Sequence, residues 1–449
     1  MVDGEPALST PGRRLRRWGP AAVVVLALVL RIAVVAADTG YRPTDDAFEY
    51  DHYGRTIAAG EGFGRSGYLR QGGPTAIRGP AYPYALGALY AASGDSRTVG
   101  RLFNALLGAL AVFLLYLIAR RLWGDAVGLI AAALAAVFPP LVLLSRDLVS
   151  ESLFIAIELG AVLCVLNFRR SGGRLRWALA AGALCGVAVL TRNTGIALLV
   201  PIAIGLWVPA GGRAWAALAA PLVALACATL LVTPWLVRDW AQFDRFVPVT
   251  TSGGIALAGT YNQTSFDQGH THGAWRDPQV VPGLRHLFEE PGRDEAEVDR
   301  ILRSRALSFA WEHPGYVAET SAWNLLRLFE IAGGSVVDAR GAALDARGIG
   351  SGDPAAERIG LALACLLAAI GVAVLVRARL RARAGGTAPH PPSGPLFLWL
   401  VPLAMLAIAI PIAGLPRYRL PADPFLLMLA AIGIQWLLHA ARPATREAR

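Results

Sequence analysis

Pro43-Thr44-Asp45-Asp46-Ala47-Phe48-Glu49-Tyr50 directly follows the first long apolar segment, so it stands where the chain leaves a bilayer. Adjacent carboxylates at a membrane surface raise each other's pKa, a penalty that a plain solvated loop has no reason to carry. If a helix starts near Asp46, then Asp46, Tyr50, Tyr53 and Ile57 recur at i, i+4, i+7 and i+11 along one face. Pro43 and Thr44 suit such a start, with Thr44 as N-cap and the Asp pair favoured by the first-turn dipole. Gly60 and Gly62 then close it. An acidic helix start lying on the membrane accounts for the pattern equally well, so this stretch alone does not separate a surface helix from a site.

The chain around it is apolar. Of 449 residues, 55% are hydrophobic and 16% charged, and the mean hydropathy is +0.47. That excludes a soluble protein of several domains and predicts an all-α polytopic membrane protein. The net charge is +10, and every one of the 42 basic residues is Arg. Most of that excess lies in short loops beside apolar segments, where it reads as topology and contact with anionic lipid rather than nucleic acid. Cys164, Cys185, Cys227 and Cys365 fall inside apolar segments without CxxC spacing, which argues against a disulfide framework or a zinc site. The run after Arg13-Arg14-Leu15-Arg16-Arg17-Trp18 continues to about Ala37 with no A-x-A pattern, so it reads as an anchored span and not a cleaved signal.

Ten segments are long enough, or nearly so, to cross: 20–37, 99–119, 126–144, 148–167, 177–191, 194–209, 214–237, 359–376, 396–413 and 424–440. With the N-terminus in the cytoplasm, alternation puts Arg13/14/16/17, Arg120/121, Arg169/170/174/176, Arg213, Arg377/379/381/383 and Arg442/446/449 on one face, as the positive-inside rule requires. Asp45-Asp46, Arg146-Asp147, Thr191-Arg192-Asn193, Arg238-Asp239 and Arg417-Tyr418-Arg419 then all emerge on the other. The expected organisation is a cytoplasmic tail (1–19), a transmembrane core (20–237) with a first outer loop (38–98), a second outer loop or cap (238–358), C-terminal spans (359–440) and a cytoplasmic tail (441–449). Both termini are cytoplasmic and the polar convergence faces outward.

In the first outer loop, Pro80 opens a second juxtamembrane helix whose Tyr82, Leu86, Leu89 and Tyr90 are expected at the interface. In the second, Phe246–Thr251 reads as extended, Ser252-Gly253-Gly254 as a turn, Ala296–Trp311 as a helix broken at His313-Pro314, and Tyr316–Ile331 as an amphipathic helix showing Trp323, Leu326 and Phe329. Its apolar pattern is thin for an independent domain. Residues 333–357 read as a flexible loop and 377–395 as a cytoplasmic linker.

Charges within spans usually face a bundle interior or cavity. Arg31 lies about two turns from the outer end of the first span; Glu151 and Glu158 are seven apart in the fourth, with Asp147 and Glu151 at i, i+4. One reading is a structural ion pair of Arg31 or Arg146 with one of these carboxylates. The other is an outward acidic pocket ringed by Arg. Arg forks grip phosphate, and a carboxylate within reach can take a proton from an attacking hydroxyl. That combination suits group transfer from a lipid-linked phosphate to an alcohol. No P-loop, GxSxG, HExxH or Rossmann fingerprint points elsewhere.

Four blocks carry a resemblance. They are Asp45-Asp46-Ala47-x-x-Tyr50 with Ala58-Ala59-Gly60-x-Gly62-Phe63; Arg78-x-Pro80-x-Tyr82-Pro83; Phe138-Pro139-Pro140 through Ser150-Glu151, with Leu190-Thr191-Arg192; and Thr233-Pro234-Trp235-Leu236-Val237-Arg238-Asp239 before Phe246-Val247-Pro248. Arg417-Tyr418-Arg419-Leu420-Pro421 adds a fifth near the C-terminus. In order and spacing they resemble the GT-C class of polytopic glycosyltransferases, in particular the bacterial protein O-mannosyltransferase and aminoarabinose-transferase group. The resemblance implies an inverting transfer from a polyprenyl-phosphate sugar to an acceptor hydroxyl of a protein, lipid or cell-wall polymer, at the outer face of the cytoplasmic membrane. It puts the catalytic base on Asp46 or Asp45, Asp46 fitting the spacing to Ala47 and Tyr50 better, and places Arg78 by the donor phosphate. For Tyr50, Tyr82, Glu151, Arg192, Arg238, Arg417 and Tyr418 it implies substrate-binding positions without a fixed role. No cofactor is certain; a divalent ion at Asp45/Asp46 is open, though no third ligand stands out. Some relatives have Asp-Glu where this chain has Asp-Asp, and fuller ones have more spans and a larger C-terminal domain, which leaves the acceptor and any metal open. The rivals are a transporter or flippase of a lipid-linked saccharide and a non-catalytic scaffold of the same fold.

Overall fold

In the computed structural model, residues 10–208, 216–338, 340–344, 354–383 and 394–441 are described. The side chains of 10–17, Arg213, Arg383, Arg442, Arg446 and Arg449, residues 339 and 345–353, and most of the linker expected over 377–395 lie outside the described residues or side chains. The described part of 333–357 is not a plain loop, since it holds two short strands (336–337 and 343–344) and a helix start at Pro354. In chain order the helices are α1 (Thr10–Ala37), α2 (Asp45–Ala58), α3 (Ala81–Ser93), α4 (Arg97–Val137), α5 (Pro139–Leu143), α6 (Glu151–Arg170), α7 (Leu175–Thr191), α8 (Leu199–Leu206) and α9 (Ala219–Phe243). They continue with α10 (Gly253–Ala258), α11 (Gln263–Asp267), α12 (His286–Glu289), α13 (Glu295–Glu312), α14 (Pro314–Leu328), α15 (Pro354–Arg383), α16 (Leu396–Ile412) and α17 (Asp423–Ala440). A small sheet of β1 (Trp275–Arg276), β2 (Val336–Val337) and β3 (Ala343–Leu344) has β2 between a parallel and an antiparallel neighbour.

The chain is a multi-pass membrane protein. Among the described residues, six helices are long and apolar enough to cross, and α7, α16 and the run Asn193–Leu206 are shorter apolar helices. The described part of each of the ten expected segments is mostly helical. α4 accounts for two, because Gly124 (φ +88°) breaks it in a conformation that favours glycine. The third segment is completed by α5 and a 3₁₀ turn over Leu144–Arg146.

The ends of these helices sort into two groups. At one end Arg101 of α4 reaches Asp38, just past α1, at 3.0 Å. There too Asn104 donates to the Asp147 carbonyl at 2.8 Å, and Arg192, just past α7, meets the start of α6. The last carbonyls of α16, orphaned as at any helix terminus, are taken up there by the segment after α9: Asn324 donates to Ile410 and Thr260 to Ile412. At the other end the Arg169 guanidinium, on the last turn of α6, donates to Gly205 of α8 at 2.7 Å, and Trp123 lies against Trp399. The bundle therefore has an Arg-dense end and an end where long loops converge.

Arg31 does not pair with a carboxylate. It is buried, and its guanidinium donates to the carbonyls of Ala135 and Ala136 and to Ala27. In a continuing helix the first two would accept from residues 139 and 140, and both are Pro, which have no N–H. Arg31 supplies the missing donors where no water can. Arg31→Met is expected to leave both carbonyls bare, at roughly 1–3 kcal/mol each, read as a lowered thermal midpoint in detergent or nanodiscs; an unchanged midpoint would refute the assignment. Arg146 pairs with Asp38 at 3.6 Å, and Glu158 is buried with no partner among the described residues.

Several local expectations change. Asp147 and Glu151 do not share a helical face, since α6 begins only at Glu151 and Asp147 is extended and accepts from the Tyr41 hydroxyl. Phe246–Thr251 joins no sheet among the described residues; it is held irregularly by Trp235 Nε1 donating to the Val249 carbonyl (2.9 Å) and Thr251 N to Ala76 (2.9 Å). Ser252-Gly253-Gly254 starts α10 instead of making a turn. Tyr82, Leu86 and Tyr90 are buried between α2 and α4 and not at an interface. On α14 the buried stripe is Tyr316, Thr320, Asn324, Arg327 and Leu328.

The thin apolar pattern of the second long loop is explained by sharing. Its Val249, Ile255, Leu287, Phe288 and Leu302 form one core with Tyr53, Phe63, Leu69 and Ile77 of the first loop and Trp235 of α9. Glu295, at the start of α13, fastens the two loops: it accepts from Ser66 (2.6 Å), Thr75 (3.0 Å), Ala76 N (2.9 Å) and Thr251 (2.6 Å).

Candidate active site

α2 starts where Asp45 and Asp46 sit at its positive end. Thr44 caps it through its carbonyl, which accepts from Ala47 and Phe48, and not through its side chain. Ala47, Tyr50 and Tyr53 turn inward and Gly60, at φ +78°, follows the helix end. That orientation turns Asp46 toward Arg78 of the first loop and Arg417 of the C-terminal segment.

Each Asp46 oxygen is paired with a different guanidinium: Oδ1 with Arg78 and Oδ2 with Arg417. Arg78 also reaches Glu49 at 2.5 Å, one turn along α2. Arg417 lies 3.9 Å from Glu151, which Arg192 approaches at 2.6 Å. The Glu151 oxygens are off hydrogen-bond angle, so charge alone pairs them. Arg192 also donates to the Ser150 hydroxyl (3.1 Å), which meets the Tyr50 hydroxyl (3.0 Å). The Tyr418 ring lies between Arg192 (5.8 Å) and Arg417 (5.4 Å). Arg78, Arg192 and Arg417 balance Asp46, Glu49 and Glu151, so the group is neutral when all are ionised.

Burial alone would push the Asp46 carboxyl up, but Arg417 and then Arg78 outweigh it and hold it below the usual carboxylate range. Glu49 goes the other way: burial raises it, Arg78 opposes, and the Asp46 charge adds to the rise. Two carboxylates three residues apart are thus driven in opposite directions, as groups with different protonation roles are.

Among the expected site residues, Asp46, Arg78, Tyr50, Glu151, Arg192, Arg417 and Tyr418 are brought together. Asp45 is not: it is exposed, at φ +48°, and its side chain makes no hydrogen bond among the described residues. Tyr82 is fully buried beneath the site, edge-on to Tyr50 at 5.1 Å and accepting from Asn104 at 2.8 Å. It lies beneath Tyr50 with no exposed surface. Arg238 is tied instead to the Thr75 carbonyl and Asp239 (2.8 Å each) and lies over Trp235. Arg residues at a span end look alike in sequence; which of them turns inward depends on neighbours far along the chain. Glu49 and Ser150 were missed, although Glu49's position three after Asp46 was a legible signal.

A divalent ion fits this arrangement poorly. Both Asp46 oxygens already face guanidinium groups, and no group of three or more His, Cys, Asp or Glu among the described residues could hold a metal.

Gly79 sets the position of Arg78. A Cβ there would come within 2.8 Å of the Thr191 carbonyl oxygen, so only glycine lets the first loop pass against the end of α7 beside Arg192. Gly79→Ala is expected to displace Arg78 and cut activity at least tenfold while the protein still inserts; full activity would refute this.

A family model described as dolichyl-phosphate-mannose-protein mannosyltransferase matches residues 77–237. That region holds Arg78, Glu151 and Arg192 but neither Asp46 nor Arg417. A search of curated proteins gives no match. The archaeal oligosaccharyltransferase AglB from Archaeoglobus fulgidus, solved with an inhibitory peptide and a dolichol-phosphate, superposes with a TM-score of 0.55 at 15% identity, over 97% of this chain and 53% of that one. The Archaeoglobus fulgidus oligosaccharyltransferase in the apo form gives 0.53 at 14% identity, over 94% and 51%. The chain has a GT-C fold. It spans about half the length of these oligosaccharyltransferases. At such identities the likeness extends to the GT-C fold and no further.

Proposed function

We propose that the protein is an inverting membrane glycosyltransferase. It moves a sugar from a polyprenyl-phosphate donor to an acceptor hydroxyl at the outer face of the cytoplasmic membrane, with both termini inside. The observation that carries this is Asp46 held between Arg78 and Arg417, two guanidinium groups from segments far apart in sequence. The protein-mannosyltransferase match over 77–237 and the shared fold support it.

Without donor, Arg78 and Arg417 neutralise Asp46. A donor phosphate is a better fork partner and competes for them. As they turn to it, Asp46 loses its counter-charges and its proton affinity rises toward that of a useful base. The acceptor oxygen then bonds to the anomeric carbon while its proton passes to Asp46. The bond from that carbon to the phosphate oxygen breaks, and polyprenyl phosphate leaves with its new charge on Arg78, Arg417 and Arg192. The transfer needs orientation more than nucleophile activation, because the leaving group is good. The shared core of the two long loops would shape the acceptor side.

The test compares lipid-linked sugars and envelope glycans in a deletion strain with those in the parent. Loss of one sugar modification, restored by the wild-type protein and not by Arg78→Ala, is expected. Unchanged glycans and lipid-linked sugars would overturn the reading.

A further inference from the structure

At the Arg-dense end, Leu117, Arg120, Arg121 and Arg170 line a half-open cavity of about 290 Å³, near the lower size of ligand sites. Arg120 and Arg121 lie on the last turns of α4 before its Gly124 break, and Arg170 is the last residue of α6. α6 runs from Glu151 in the site to Arg170 over 20 residues, which is roughly 30 Å, the thickness of a bilayer's hydrocarbon core. The cavity therefore lies one membrane thickness from Asp46.

Its charges are not balanced. Asp125 pairs with Arg120 at 2.6 Å, which leaves Arg121 and Arg170 without a carboxylate among the described residues. Arg121 Nη1 is buried and has no hydrogen-bond acceptor there. A buried guanidinium nitrogen without an acceptor is costly, and like charges gathered around one hollow repel unless an anion enters. Leu117 adds an apolar wall about one turn deeper, toward the hydrocarbon.

We propose that this cavity binds the phosphate of an anionic phospholipid head group, with Arg121 and Arg170 as its donors and Leu117 against the start of an acyl chain. On the topology proposed above, the lipid comes from the cytoplasmic leaflet, where basic pockets between spans select anionic lipid. A free phosphate would use the same guanidinium groups but not Leu117.

Full-length protein in a neutral detergent would be titrated with phosphatidylglycerol, phosphatidylcholine and glycerol 3-phosphate while its thermal midpoint is followed. Phosphatidylglycerol alone is expected to raise the midpoint. In Arg121→Gln, and separately in Arg170→Gln, its half-saturating concentration is expected to rise about tenfold, the loss of one charge-assisted contact. An equal response to glycerol 3-phosphate, also lost in both variants, would keep the phosphate site and assign it a soluble ligand. Equal responses to both lipids, or variants that titrate like wild type, would overturn the proposal. Neither residue is near Asp46, so sugar transfer by the wild type stands or falls separately.

Discussion

Asp46→Asn is expected to reduce sugar transfer about 10²–10⁴-fold, the contribution of a positioned general base, while donor binding holds or tightens. The asymmetry comes from what Asp46 does without donor: it occupies both Arg78 and Arg417. Removing its charge frees those forks for phosphate, so the loss should fall on kcat and not on donor affinity. A purely structural Asp46 would lower thermal stability, donor binding and rate together. Turnover at the wild-type rate would remove Asp46 from the chemistry.

The second large effect is expected at Arg417. Arg417→Gln removes the strongest opposing charge on Asp46 and one phosphate donor, so the KM for donor should rise and kcat/KM fall about 10²–10³-fold. Arg417→Lys should recover only part, because a point charge cannot bridge a carboxylate or phosphate as a fork does.

The two effects also separate by pH. Asp46 in the free protein titrates below its unfolded value, which is about 3.9. Its ion pairs therefore stabilise the fold above that pH, and the contribution is lost as pH falls below about 4 toward the folded pKa. If bound phosphate draws the guanidinium groups away, Asp46 is more basic in the complex. The acid limb of kcat should then lie at higher pH than that of kcat/KM, since these report the bound and free enzyme. In Arg417→Gln the limb in kcat/KM should move upward. Coincident limbs in wild type, or a limb unmoved in the variant, would refute the displacement of Arg417 by donor.

Some of this was open to reading along the chain. The described parts of the ten apolar segments became mostly helical because hydropathy over about 20 residues is a local property that the bilayer enforces. The motif blocks carried most of the site because the polar residues that breach the membrane rules are few. Asp46, Arg78, Glu151 and Arg192 stand out for that reason. Where the reading failed, the deciding partner lay elsewhere. Arg31 looked like half of an ion pair, and it is instead the donor that Pro139 and Pro140 cannot be. Tyr82 carried a motif position yet lies under Tyr50, and Arg238 turned to Thr75.

From residues alone came the membrane class, the apolar segments that become helices and the few charged side chains worth watching, all set by composition and short-range spacing. Tertiary structure alone decided which charges meet: that Asp46 rather than Asp45 takes two guanidinium groups, that Arg417 crosses 371 positions to reach it, and that Glu295 joins two loops into one core. The reason is electrostatic: a charge at a membrane surface is tolerated wherever a counter-charge can be brought within a few ångströms. Many pairings satisfy that condition in sequence, and packing selects one.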